Sequence, residues 1–175
     1  MFSREGYGLL PVSDVDDALF AAFDCGISTL NDFLRQHATD FHARRLSFTS
    51  LVLHQDYDGL LGFFSLSTDG LKLNDSERFD LDIQADFAVS YVSAVMIGRL
   101  AVASECHGKG VGSMALDLIR GEAIKAPARL LVVDAVDEAV PFYEKNGFQE
   151  ALFAKSKKAP NKNSRTTKMW LDLIV

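Results

Sequence analysis

The strongest constraint on the fold lies between residues 97 and 119. Ile97-Gly-Arg-Leu-Ala-Val102 is rich in strand formers and leads through a polar stretch into glycines at alternate positions, Gly108, Gly110 and Gly112. Val111, Met114, Ala115, Leu118 and Ile119 then recur at the i, i+3, i+4, i+7, i+8 spacing of one buried helix face. A strand that feeds a helix through such a loop belongs to a layered α/β arrangement. Glycine lets a ligand approach the backbone closely, and the start of a helix points N–H groups outward. A nest of this kind holds a pyrophosphate without side chains, and Lys109 adds one positive charge. A glycine-rich turn with no ligand is the plain alternative.

Two phosphate-binding patterns fit this loop poorly. A Walker loop needs Lys followed by Ser or Thr, and Lys109 is followed by Gly110. A dinucleotide fold needs GxGxxG, but counting from Gly108 the third glycine position is Ser113. Asp134, 24 residues after Gly110, imitates a ribose-binding acid. Five residues separate Val102 from Gly108, however, too many for that fold's tight strand–glycine turn.

The rest of the chain reads as strands and helices without repeats or linkers. Residues 6–12 suit an edge strand, and Asp24 to Gly26 a turn. A helix capped by Ser28 runs to about Arg44, with Leu30, Phe33, Leu34, Ala38 and Phe41 on its apolar side. Residues 46–53 and 60–68 form a hairpin about Asp56-Tyr-Asp-Gly59. Residues 69–88 are a polar excursion, and Val89 to Val102 is a long strand. Pro127 stops the glycine-loop helix, and residues 129–133 form a strand buried on both sides. Asp137 caps a short helix ending at Gly147, and residues 148–153 and 166–173 close the chain as strands. At 175 residues this is one α/β domain spanning 1–175.

Charge narrows the classes of partner. Residues 1–154 hold 12 Lys and Arg against 23 Asp and Glu, whereas the six bases between Lys155 and Lys168 face only Asp172 in the last 21 residues. A body this acidic disfavours nucleic acid, which is bound through many basic contacts. The basic segment suits a single anionic group or a solvated loop. Cys25 and Cys106 have no spacing partner and read as reduced thiols of a cytoplasmic protein. The N-terminus lacks a signal-peptide pattern, and no stretch reaches the roughly 18 apolar residues of a membrane helix. His37 and His42 are five apart and neither cysteine has a ligand spacing, so no metal site is expected.

Two blocks carry a family resemblance. His107-Gly-Lys-Gly-Val-Gly112 resembles the [Q/R]-x-x-G-x-[G/A] loop of the GCN5-related N-acetyltransferases (GNAT), with His107 where Gln or Arg usually stands. Val140-Pro-Phe-Tyr-Glu-Lys-Asn-Gly-Phe148 resembles the family's FYEKxGF block, in the matching order and spacing. Gly62-Phe-Phe-Ser-Leu-Ser67 and Ile97 to Val102 resemble its third and fourth strands, so the resemblance covers nearly the whole chain. It implies a mixed, mostly antiparallel central sheet with helices on both faces. Phe23-Asp-Cys-Gly26, GFFSLS and GRLAV also resemble the branch that acts as toxins by acetylating aminoacyl-tRNA. The net charge of −6 departs from that branch, whose members tend to be basic.

The resemblance implies acetyl-CoA as co-substrate and transfer to a primary amine by direct attack. It assigns CoA binding to His107, Gly108, Lys109, Gly110, Val111, Gly112 and Ser113. Polarisation of the thioester carbonyl falls to backbone N–H around Leu100, Ala101 and Val102, and protonation of the leaving thiolate to Tyr143. The general base stays open among Glu105, Asp69 and His54, each of which also suits a solvated surface. Arg99, mid-strand among apolar neighbours, suits a structural ion pair first and substrate orientation second. The acceptor is a small amine, a peptide or lysine amine, or charged tRNA; a homodimer is common in the family. A domain that binds acyl-CoA without turnover is the alternative outside enzymology.

Overall fold

The computed structural model describes residues 4–83, 91–153 and 166–174. Two compact units emerge: residues 1–67 with 97–119, and residues 68–96 with 120–175. Strands β3 (Tyr57–Leu71) and β4 (Val92–Val102) contribute to both, as does helix α5 (Val111–Ala123).

In the first unit, β1 (Tyr7–Pro11) pairs antiparallel with β2 (Phe48–His54), which pairs antiparallel with β3. The β2–β3 turn is Gln55-Asp56, two residues tighter than the sequence suggests, and Tyr57 to Gly59 already belong to β3. The Asp56 N–H donates to His54 Nδ1 at 3.0 Å, which closes the turn before Tyr57.

Helix α1 spans Ala18–Ala21. The single helix expected over 28–44 is two, α2 (Ser28–Gln36) and α3 (Ala38–Ala43). His37 leaves helical geometry at φ −127°, yet His37 N–H still reaches Phe33 O and Phe41 N–H reaches His37 O, so the axis bends and does not stop. The bend sets Phe33 and Phe41 edge to face at 5.5 Å. Phe33 also stacks on Phe63, which meets Phe23 edge to face, and these rings build the buried core with Phe20, Leu34, Leu51 and Leu61. Ser28 does not cap α2; Ile27 holds that position, without a side-chain bond. Asp24 and Asn31 brace the turn instead. Asp24 Oδ1 accepts from Gly26 N–H and Asn31 Nδ2, both at 2.8 Å, and Asn31 Oδ1 accepts from Cys25 N–H. Those bonds hold the Asp24 carboxyl below its ordinary range, the Gly26 N–H contributing most.

In the second unit, β5 (Leu130–Val136) and β6 (Gln149–Glu150) each pair antiparallel with β7 (Thr166–Asp172). Leu71, Leu73, Leu81, Val92, Ala94, Leu130, Val132, Ala151 and Trp170 form its core. Helix α4 (Asp75–Asp80) lies inside the stretch expected to be irregular. Asn74 and Glu77 form a capping box there, a readable four-residue signal. Asp137 to Ala139 form a 3₁₀ turn, so Asp137 does not cap α6 (Val140–Lys145) directly; Ala139 does. Strand β6 is much shorter than the expected 148–153. The Leu152 N–H turns away to Glu77 Oε1 at 2.7 Å, which ends the ladder after Ala151.

The strand order is β1-β2-β3-β4-β5-β7-β6. With helices between the strands, this is the mixed, mostly antiparallel α/β sheet that the sequence predicts.

Candidate functional site

The glycine loop lies in the first unit. Strand β4 ends at Val102, a 3₁₀ turn covers Ser104–Cys106, and α5 starts at Val111. Gly108 (φ +73°) and Gly110 (φ +84°) are both left-handed, the conformation that side chains resist. A Cβ at either would meet nothing within 4 Å, so the glycines are needed for dihedral angles and the space beside them is open. Gly112 is helical, and the first α5 bond available at this end runs from Met114 N–H to Gly110 O. The N–H groups of Val111, Gly112 and Ser113 therefore have no partner within the helix. Lys109 is exposed beside them. These features fit an anionic pyrophosphate: oriented donors, positive helix dipole, one exposed cation and room.

His107 has a definite job. Its Nε2 lies 2.9 Å from the Val102 carbonyl oxygen and ties the loop back to the end of β4. The side chain that departs from the family pattern thus braces the loop, whose Lys109 N–H is also tied back, to Cys106 O at 3.3 Å.

Leu100, Ala101 and Val102 are held by a close approach of β3 to β4. A Cβ on Gly62 would stand 2.4 Å from the Ala101 carbonyl oxygen, and the Ala103 N–H donates to Leu61 O at 2.8 Å. Only a residue without a side chain lets β3 come this near β4. The glycine that opens GFFSLS was the available signal.

Tyr143 lies in the second unit, on α6. It is buried at 6% exposure, edge to face with Phe142 at 5.1 Å and Phe148 at 5.2 Å. Burial pushes its hydroxyl up to about 12, so it is a proton donor throughout the physiological range. The turn after it is tightly built. Tyr143 O accepts from Asn146 and Phe148 N–H, Asn146 Nδ2 donates to Phe142 O, and Gly147 takes φ +89°. Arg120 Nη2 donates to Asn146 O at 2.7 Å. The FYEKNGF block is thus a helix end and an aromatic cluster as well as a tyrosine.

The three base candidates are each engaged elsewhere. Asp69 accepts an ion-paired hydrogen bond from Lys168 Nζ at 2.9 Å. His54 is buried, edge to face with Tyr7. Glu105 accepts a hydrogen bond from the Tyr57 hydroxyl, which that bond, burial and neighbouring charge raise well above its ordinary pKa. The ion pair expected for Arg99 is not formed. Its guanidinium lies 3.6 Å over the Phe33 ring, and among the described residues it has no carboxylate partner. Of the basic segment, residues 155–165 lie outside the described residues, while Lys168 faces Asp69 and, at 3.5 Å, Asp134. Among the described residues no group of three or more His, Cys, Asp or Glu side chains could hold a metal, and no helix is long and apolar enough to cross a membrane.

Comparison with known proteins agrees with this architecture. The family described as acetyltransferase (GNAT) domain matches residues 47–150. Similar solved structures include AtaT complexed with acetyl-methionyl-tRNAfMet (20% identity, 95% of this chain and 94% of that one, TM-score 0.72). A KacT mutant is similar at 20% identity over 97% of this chain and 96% of that one, with a TM-score of 0.70. AtaTR bound with AcCoA is similar at 19% identity, 97% and 95% coverage and a TM-score of 0.68. At these identities the three neighbours establish a shared fold.

Proposed function

Because the chain belongs to the acetyltransferase (GNAT) family, and is thus an acetyl-CoA-dependent N-acetyltransferase, we propose that it acetylates a primary amine by direct attack, using the residues assigned below. Strands β3 and β4 each run through both compact units, and we read residues 1–175 as one transferase domain on that ground. The observation that carries the reading is the loop: two left-handed glycines, open space beside them, and the unsatisfied N–H groups of a 13-residue helix.

Acetyl-CoA supplies an activated thioester. The N–H groups of Gly108, Gly110, Val111, Gly112 and Ser113 take the pyrophosphate. The Lys109 side chain adds charge from solvent while its own N–H stays on Cys106 O, and His107 keeps the loop on β4. The backbone of Leu100 to Val102 offers an N–H to the thioester carbonyl oxygen, a class of donor worth about 3–4 kcal/mol when removed. Gly62 holds that backbone in place. Tyr143, whose proton burial holds more firmly than an ordinary phenol's, donates to the departing sulfur. Acetyl passes to the amine nitrogen, CoA leaves as the free thiol, and the proton that the amine releases to water restores the tyrosine.

Thermal unfolding with acetyl-CoA, CoA, ATP and NAD in parallel tests the donor half. Ligand at 100 times its dissociation constant stabilises by about 2.7 kcal/mol, or roughly 5–10 °C at this size. A shift with the two CoA species alone is expected; a larger shift with NAD overturns the loop assignment. Thiol release over an amine panel tests transfer, and its absence with CoA binding intact would mark a non-catalytic acyl-CoA module.

A second reading concerns the acceptor. The likeness to AtaT with acetyl-methionyl-tRNAfMet spans 95% of the chain, which favours aminoacyl-tRNA as the amine. The balance of 12 bases to 23 acids over residues 1–154 weighs against a broad RNA footprint. Labelled acetyl transfer to charged tRNA, and growth arrest on expression, decide between this acceptor and a small or peptide amine.

A further inference from the structure

Among the described residues, Arg99 is a charge without a countercharge. It is half-buried on β4, and burial alone accounts for its lowered pKa, no acid contributing. Among the described residues it has neither an ion pair nor a hydrogen bond, in a chain with 24 acids. Other arginines here are differently placed. Arg129 is forked by Asp172 and Leu81 O, Arg44 pairs with Asp40, and Arg35 donates to Phe23 O.

What Arg99 does have is a platform. Its guanidinium sits 3.6 Å from the Phe33 ring centroid and 6.0 Å from that of Phe41. Phe33 is itself fixed, 4% exposed between Phe41 and Phe63. Stacking holds the plane of the guanidinium and stabilises its charge through the ring quadrupole, but satisfies none of the five N–H donors. A rigid, part-desolvated fork of donors is the arrangement that grips a carboxylate or phosphate bidentately. At about 3.3 Å per strand residue, Arg99 lies roughly 3–10 Å along the strand from Leu100 to Val102.

We propose that Arg99 binds an oxyanion carried by the acyl acceptor, a carboxylate or phosphate, and so selects amines that bear one. The inference rests on the transferase reading above and on Leu100 to Val102 facing the thioester.

The test measures kcat and KM for matched acceptors with wild type, Arg99→Gln and Arg99→Lys. The pairs are O-phosphoethanolamine with ethanolamine and methionine with methionine amide; methionyl-tRNA supplies the nucleic-acid phosphate. Loss of a charge-assisted fork lowers selectivity for the anionic over the neutral member about tenfold to a hundredfold in Arg99→Gln, through KM. Arg99→Lys keeps the charge without the fork and falls between. The pair that responds identifies the source of the oxyanion, and a response confined to methionyl-tRNA identifies RNA phosphate. The acetyl-CoA thermal shift of each variant reports its fold. Equal losses on both members of every pair, or no change with any acceptor including methionyl-tRNA, overturn the proposal and leave Arg99 as a structural staple. If wild type acetylates none of these acceptors, the transferase reading fails for them independently of Arg99. Arg99 is then judged by calorimetry with O-phosphoethanolamine: weaker binding by tenfold in Arg99→Gln upholds it, and equal binding rejects it.

Discussion

Removing one hydroxyl, in Tyr143→Phe, tests both the chemistry assigned to this residue and the burial that tunes it. Phenylalanine keeps the ring contacts with Phe142 and Phe148, so the fold is preserved. A free phenol titrates near 10 and this one near 12. The folded state therefore holds the proton more tightly than the unfolded chain, by about 3 kcal/mol. That stability is fully present below pH 10 and is lost as pH rises from 10 through 12. Tyr143→Phe abolishes this component, and urea unfolding at pH 9 to 12 reads the difference. For catalysis, a thiol titrates near 8.5, so outright proton transfer from a phenol at about 12 is uphill by about 5 kcal/mol. The hydroxyl then acts first as a hydrogen-bond donor to the developing thiolate. General acids contribute roughly 10²–10⁴-fold, and the mismatch places this one near the low end. Steady-state thiol release should show kcat reduced about a hundredfold, with KM for acetyl-CoA within about twofold. Unchanged kcat refutes the catalytic role. Identical alkaline stability in both proteins refutes the argument from burial.

Gly62→Ala should cost about 2 kcal/mol and lower Tm by roughly 4–8 °C, because its Cβ meets the Ala101 carbonyl oxygen at 2.4 Å; a Tm within 1 °C, by calorimetry, would be the contrary result. Asp172 is pulled up by burial but held below its ordinary range by the Arg129 fork, whose two bonds are both 2.7 Å. That stabilisation is present above the unfolded pKa near 3.8 and is lost as pH falls through the lower folded value. Asp172→Asn is expected to destabilise by about 2–3 kcal/mol at pH 7 and flatten the acid limb of stability; an unaltered limb in acid titration would contradict this. Glu77, 2% exposed, accepts from Leu152 N–H through Oε1 and Asn74 N–H through Oε2. Glu77→Gln retains one acceptor oxygen, so denaturant unfolding should register a loss of about 1–3 kcal/mol.

The family and its donor loop were legible because they depend on local order. A strand, glycines at 108 and 110 that must take positive φ, and an amphipathic helix follow one another within about twenty residues, and local geometry follows from local sequence. The same holds for Asp24-Cys-Gly26 and Asn146-Gly147, where a turn needs a left-handed glycine. Other features depended on which distant atoms meet. Residue spacing alone cannot distinguish an arginine paired with a carboxylate from one stacked on Phe33, since Phe33 lies 66 positions away. Asp69 suits a base or a solvated surface by its position in the sequence, but Lys168, 99 residues on, lies 2.9 Å from it and engages it. Strand β6 ends early because Glu77, 75 residues upstream, takes the Leu152 N–H. The sequence by itself determined the backbone geometry of the loop, since dihedral preference belongs to each residue. Tertiary structure decided protonation, pairing and strand ends, because electrostatic and hydrogen-bond partners are chosen by proximity in space, across separations that local sequence does not encode.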